Sequence, residues 1–198
     1  MEAIKWSEET LNNMLTEPSA ALVEDLKRLE GDIMVLGAGG KMGPDICVLA
    51  KKASVLGGSD RKIYAVSLFS DAAAAERLRS HGVTVIAADL MDANALQALP
   101  DCKNIIYMAG RKFGTNGTEY LTWGMNAWLP CMVAQRFRHS DIVVFSSGNL
   151  YPKVSTASGG ATERVRTVPV GEYCMSCLGR ERAFEYAART MGTRIAIM

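Results

Sequence analysis

Two kinds of apolar spacing alternate along this chain. Short apolar runs at 33–37, 62–67, 83–88, 104–109 and 141–146 read as strands, apolar on both faces as central parallel strands are. Between and after them, 42–53, 71–80, 92–98, 117–137 and 172–191 carry helical spacing. Ahead of the first strand, 7–30 also reads as helical, with Leu11, Leu15, Leu22, Leu26 and Leu29 on one apolar face and Pro18 breaking the run. A loop rich in Ser, Gly, Thr and Pro fills 148–171. Strand–helix alternation joined by right-handed crossovers predicts an α/β fold: a doubly wound, Rossmann-type parallel sheet with helices on both sides. That domain spans 32–198, and residues 1–31 form an N-terminal helical extension packed outside the sheet. The last five residues, Arg194 to Met198, read as one more strand, and the chain stops inside it. The expectation is a domain truncated at its last strand.

The first strand delivers the chain into Gly37-Ala38-Gly39-Gly40-Lys41-Met42-Gly43. A buried strand followed by a turn too tight for a Cβ, and then by a helix, is the arrangement that lets a pyrophosphate approach the backbone. The helix points its N–H groups and positive dipole end at the phosphates. Glycines at 37, 40 and 43 give Gly-x-x-Gly-x-x-Gly, not the Gly-x-Gly-x-x-Gly of many dehydrogenases. A purely structural turn is the competing reading. Gly37, Gly39, Gly40, Lys41, Met42 and Gly43 are the candidate dinucleotide contacts.

Composition narrows the partners. The 198 residues are 48% hydrophobic and 22% charged, with a net charge of +1, so nothing favours nucleic acid or an anionic membrane surface. No apolar run approaches the roughly 20 residues that cross a bilayer, and residues 1–9 are acidic and lack a signal peptide's apolar core. Five cysteines without framework spacing suit a reducing cytosol, so the expected location is the cytoplasm. His81 and His139 are the only histidines, a poor supply for a structural metal.

Further motifs fall at the carboxyl ends of strands, where such a fold places its chemistry. Gly37-x-x-Gly40-x-x-Gly43, Ala88-Asp89-Leu90, Met108-Ala109-Gly110, Asn126, Ser146-Ser147 before Leu150-Tyr151, and Tyr173 with Ser176 and Glu181 occur in that order. Together, over about 32–198, the chain resembles the extended short-chain dehydrogenase/reductases, specifically the NAD-dependent epimerase/dehydratase family that acts largely on nucleotide-activated sugars. The resemblance implies that the glycine turn holds the pyrophosphate of NAD or NADP and that Asp89 bonds the adenine amino group, with Leu90 beside it. Ala109 and Gly110 would line the cofactor edge. Lys112 would reach the cofactor or else be a solvated loop lysine. Asn126 would bridge backbone and active site, Ser147 would orient a small-molecule substrate, a sugar or nucleotide sugar, and Tyr173 would be the general acid/base. It also implies a homodimer through 117–137 and 172–191. A C-terminal substrate domain, usual in the family, would be absent from this stretch.

Two departures bear on function. The family pattern Tyr-x-x-x-Lys has Cys177 where lysine belongs. On a helix, side chains at i and i+4 share a face, so the ammonium sits by the phenol and lowers its pKa. A thiol cannot, and proton transfer by Tyr173 is expected to be weak at neutral pH unless a cation such as Arg180 or Arg182 compensates. The second strand ends Ala65-Val66-Ser67-Leu68-Phe69 without the acid that grips ribose hydroxyls. Ser67 and Lys41 tolerate a 2′-phosphate better, a tilt toward NADP, while Asp71 reads as the start of the next helix and Asp89 reads equally as a cap for the helix near Asp92. Two other function classes stay open. One is a non-catalytic NAD(P)-binding regulator; the other, more distant, is a thiol-redox protein resting on Cys174-Met175-Ser176-Cys177.

Overall fold

A computed structural model describes residues 6–112 and 116–198, so the first five residues of the N-terminal extension lie outside the described part. The chain divides into two compact units, 1–89 with 101–108, and 90–100 with 109–198.

The first unit begins with α1 (Glu8–Leu15) and α2 (Ala20–Arg28), each capped by a serine, Ser7 or Ser19, whose hydroxyl accepts a first-turn N–H. Pro18 falls between them, where the broken run was expected. The shared apolar face of 7–30 is only half realised. Leu26 is buried, but Leu11 and Leu15 are exposed, because α1 docks on the Gly43–Leu56 helix through Thr16, whose hydroxyl accepts from Lys52 Nζ at 3.0 Å, and leaves the two leucines facing an open groove beside Pro44 and Leu49. Arg61 ties α2 down by donating to the carbonyls of Leu26, Leu29 and Gly31. The strands follow as β1 (Ile33–Leu36), β2 (Ile63–Ser67), β3 (Thr84–Ala87) and β4 (Asn104–Tyr107), all parallel in the order β3-β2-β1-β4. The registers Ile33↔Ile63 and Ile33↔Asn104 place β1 between β2 and β4. The chain winds from β1 to β3 and then crosses to β4, which makes the carboxyl end of β1 a topological switch point, where ligands of such sheets bind. α3 (Gly43–Leu56) and α4 (Ala72–Ser80) pack here, over a core of Val35, Ala38, Val48, Ala53, Ile63, Ala65 and Leu78. β3 is the half-exposed edge strand, so the expectation of strands buried on both faces holds for β1 and fails there.

Cys47 on α3 and Cys102 before β4 are buried. Burial pushes their thiols up from the ordinary 9.0 to about 12 and about 11. The folded protein keeps these protons where an unfolded chain has lost them. Their contribution to stability is therefore complete below the unfolded thiol value and drains away as pH rises toward the folded ones, by about 1.4 kcal/mol per thiol per pH unit. Urea unfolding at about pH 8 and about pH 10.5 should show this fall, and Cys47→Ala should make it shallower; an unchanged slope would contradict it.

The second unit holds α5 (Ala93–Gln97), α6 (Glu119–Trp123), α7 (Leu129–Arg136), α8 (Glu172–Met191) and the parallel pair β5 (Asp141–Val144) and β6 (Arg194–Ile197). Leu96, Leu129, Val133, Phe137, Ile142, Leu150, Phe184 and Ala187 are among its buried apolar residues. The single helix expected over 117–137 is instead α6 and α7 joined by a π-helical turn, Gly124–Trp128. Pro130 is the cause. Proline lacks an N–H, and its ring collides with the carbonyl four residues back, that of Asn126. The ladder reopens one residue wider, and the Leu129 N–H bonds the Gly124 carbonyl. Among the described residues no helix is long and apolar enough to cross a membrane, and no group of three or more His, Cys, Asp or Glu side chains gathers to hold a metal.

Candidate functional site

Each unit carries one cluster. In the first, β1 ends at Leu36 and the chain turns on Gly37, whose φ of +90° suits glycine. The N–H groups of Gly37 and Ala38 both bond the Val66 carbonyl on β2, at 2.9 and 3.1 Å. A Cβ at Gly39 would stand 2.6 Å from Ser67 Oγ, and one at Gly43 would stand 2.3 Å from the Ala38 carbonyl oxygen. At Gly40 the nearest atom to a Cβ is the Gly37 carbonyl oxygen, 3.5 Å away, an ordinary contact. Backbone packing thus requires glycine at 43, a side chain at 39 would crowd the Ser67 hydroxyl, and 40 is left open. α3 starts at once behind this turn, with Met42 at its N-cap, no side chain capping it and Pro44 in its first turn. Of its opening positions, Gly43 bonds the Gly40 carbonyl at 3.3 Å, Pro44 has no N–H and Ile46 bonds the Met42 carbonyl at 3.1 Å, so no side chain serves this helix start. The one acid there, Asp45, is engaged by Arg77 at 2.7 Å, which cancels the charge that would repel an anion.

Lys41 and Met42 are exposed on the turn. Ser67, at the end of β2, is half-buried and lies on Gly39; Phe69, two residues on, has φ +49°, unusual for a non-glycine residue. Asp71 caps α4 by accepting from the Ala73 N–H at 2.9 Å, so it starts the helix as expected. The cap of α5 is Asp92, which accepts from Asn94 and Ala95; the alternative of Asp89 as that cap is therefore wrong. Asp89 is exposed and Leu90 buried.

In the second unit, Asn126 projects from the π turn, completely buried. Its Oδ1 accepts from the Arg111 N–H at 2.7 Å and from Arg180 Nη2 at 3.1 Å. Its Nδ2 donates to the Arg111 carbonyl at 2.9 Å and to Ser176 Oγ at 3.0 Å. Ser176 spends its own proton on the Tyr173 carbonyl. The loop after β4 brings in Ala109, buried, with Gly110 and Lys112 exposed.

Tyr173 opens α8 behind Gly171, whose φ is +82°. The phenol lies near enough to Ser147 and Cys177 for both to act on its proton affinity. Burial pushes the phenol up from its usual 10.0; the Ser147 bond pulls it down, the bond to and charge of Cys177 push it up, and the charge of Arg180 pulls it down. The net direction is upward, so at neutral pH Tyr173 is an intact phenol. Cys177 is fully buried, and its thiol is also raised, by burial first, against the opposing pull of Arg180 and Tyr173. A thiol this protonated is a poor nucleophile. Glu181 faces Ser146, accepting from its hydroxyl at 2.5 Å.

Arg180 is the residue that motif reading undervalued. It is buried, whereas Arg182 is exposed and pairs with Glu185 at 2.7 Å. The signal was present in the spacing, because Tyr173, Ser176/Cys177 and Arg180 follow the i, i+3/i+4, i+7 rule of one helix face.

The model of the NAD dependent epimerase/dehydratase family matches residues 33–198. Solved structures share the fold. UDP-glucuronic acid 4-epimerase from Bacillus cereus, in complex with UDP-glucuronic acid and NAD, matches with a TM-score of 0.68 at 17% identity, over 84% of this chain and 55% of that one. The UDP-Glc/GlcNAc 4-epimerase of Campylobacter jejuni gives 0.69 at 16% identity, over 85% and 52%. Pal from Bacillus thuringiensis gives 0.71 at 13%, over 84% and 54%. The chain thus spans about half the length of these proteins. No curated protein matches it.

Proposed function

Because the chain belongs to the NAD dependent epimerase/dehydratase family, we propose that it binds NAD or NADP at its glycine turn and acts on a sugar or nucleotide sugar by transient hydride transfer. The observation that carries this reading is the turn itself. Gly43 is demanded by the backbone and Gly39 lies against Ser67, but Gly40 has no packing reason to lack a side chain, and no side chain caps the helix start behind it. Both are what a pyrophosphate lying on the backbone requires. Similar proteins solved with NAD, or with a UDP-sugar and NAD, supply the substrate class by analogy of fold.

A bound nicotinamide would supply the hydride acceptor that oxidation of a sugar carbinol needs. Tyr173 is the proposed acid/base and Ser147 the group that orients the reacting oxygen. A neutral phenol gives a proton to oxygen more readily than it takes one, so turnover at neutral pH is slow. Asp89, Leu90, Ala109, Gly110 and Lys112 are proposed cofactor contacts on the strength of the motif alone; Ser67 and Lys41 favour NADP over NAD. Exposed Tyr120, Leu121, Trp128 and Met175 suit a homodimer through the helices of 117–137 and 172–191, in a cytoplasmic setting.

A second reading, a non-catalytic NAD(P)-binding regulator, is favoured by one fact: the lysine position is a buried thiol. Calorimetric titration of the protein with NAD and NADP tests the first claim. Binding in the micromolar range is expected, weakened at least about a hundredfold by Gly40→Glu, whose carboxylate would be buried against phosphate. A folded protein that binds neither cofactor, or a Gly40→Glu variant that binds normally, would refute it. Binding without turnover of any nucleotide sugar would favour the regulator; turnover abolished by Tyr173→Phe would favour the enzyme.

A further inference from the structure

We infer that Arg180 supplies, from two turns down the same helix, the positive charge that Cys177 cannot give to Tyr173. It is a positioning residue for the proposed acid/base, and the inference rests on that reading of Tyr173.

Helix geometry sets up the contact. Residues seven apart stand on one stripe of an α-helix, about 10 Å apart along its axis. Helical side chains lean back toward the N-terminus, so a long arginine at 180 covers the turn before its own. Its hydrogen bonds fix where the guanidinium comes to rest. Nη2 bonds Asn126 Oδ1 at 3.1 Å, and the same amide bonds Ser176 Oγ at 3.0 Å. The charge therefore lies level with residues 176–177, which is where a lysine at 177 would start. Nη1 bonds the Phe145 carbonyl at 2.9 Å, just past the end of β5, so the head is held from two sides.

Gly110 makes room for it. A Cβ at 110 would stand 2.5 Å from Arg180 Nη2. That gives Gly110 a reason for having no side chain that is independent of any cofactor. The guanidinium is buried at 5% exposure, where its field is little screened by water. Its charge favours the ionised form of both Tyr173 and Cys177. The other groups around this pair are Cys174 and Glu181 on α8, which oppose ionisation of Cys177, and the Ser147 hydroxyl, which favours that of Tyr173. Outside this set, Glu172 is bonded to Trp123 Nε1 and Arg111 reaches Thr118 Oγ1. Arg180 thus stands in for the electrostatic half of a lysine at 177.

The test is the titration of Tyr173 in the whole protein, with fluorinated tyrosine incorporated so that its phenols titrate nearer neutrality and are read by 19F NMR. Tyr173→Phe assigns the signal. Arg180→Gln, which keeps an amide donor and loses the charge, should raise the midpoint by about one pH unit, a tenfold weaker acid. Arg180→Lys should move it by less than half as much. A midpoint unmoved in Arg180→Gln, or moved equally by glutamine and lysine, overturns the inference. If Arg180→Gln does not fold, Gly110→Ala, which displaces the guanidinium without removing it, is read instead: a raised midpoint supports the inference and an unchanged one overturns it. No cofactor or turnover enters the measurement, so it succeeds or fails separately from the proposed reaction.

Discussion

Gly43→Ala should both destabilise the protein and abolish its binding of NAD(P). The added Cβ would lie 2.3 Å from the oxygen of Ala38 and 2.6 Å from its carbonyl carbon and Cα. Those atoms are backbone, in the turn that follows the fully buried β1, so nothing flexible can yield. Relief requires α3 to move off the sheet or the turn to open, and either reshapes the turn on which the proposed pyrophosphate would lie. Overpacking of this kind costs about 2–4 kcal/mol, or roughly 5–15 °C in Tm for a chain of this size. Gly40→Ala is the contrasting case: its Cβ meets nothing closer than 3.5 Å, so Tm should hold while cofactor affinity falls. Thermal unfolding of the two variants with calorimetry decides the matter, and a Gly43→Ala protein with wild-type Tm would contradict it.

Asn126→Ala should be the most damaging single change in the second unit. The amide is completely buried and makes four hydrogen bonds, two to the backbone of Arg111 and one each to Ser176 and Arg180. Truncation leaves each partner short of a bond, Ser176 and Arg180 in a fully buried place and the Arg111 backbone in a partly buried one. Orphaned buried groups cost about 1–3 kcal/mol each, more where one is charged, and partial relaxation brings the expected loss to about 3–5 kcal/mol. Asn126→Asp is not a rescue. It keeps the two acceptor bonds, but it sets a lone pair against the Arg111 carbonyl and another against Ser176, whose only proton is already given to Tyr173. Urea unfolding should place Asn126→Ala well below wild type, with Asn126→Asp between them. Wild-type stability for the alanine variant would show that the network carries no net energy.

Most of the fold was legible because each element obeys a local rule. α8 spans 172–191 as its spacing predicts, and Asp71 and Asp92 start helices because a short acid before a helix caps it. What escaped was set by longer range. The π turn follows from Pro130, but periodicity counts apolar positions and does not register a missing N–H. α1 has the right spacing and still leaves Leu11 and Leu15 in water, because amphipathicity says which face could pack and not whether a partner lies within reach. The glycine turn was readable as a cradle, but not the division of labour in it: Gly39 answers to Ser67 and Gly43 to Ala38, across 28 and 5 positions. Ser147 and Tyr173 were paired through motif order, while Arg180 needed the further step of projecting the helix two turns onward. Its fit against Gly110, 70 positions away in sequence, is a contact no helical wheel contains.

The saturation of Asn126 has a bearing on proton traffic. Both of its hydrogens are given and both of its lone pairs are taken, so it cannot pass a proton along. The backbone of 111 and the stem of α8 are therefore clamped by a group that is chemically silent. Any proton that enters or leaves the Tyr173 oxygen on its other side meets a buried thiol that holds its hydrogen tightly. Away from the thiol, Tyr173 is only half-buried, with Ser147 near it at the head of the exposed Gly148–Asn149 turn. Proton exchange at this phenol is thus confined to its half-exposed face, which opens toward solvent on the Ser147 side.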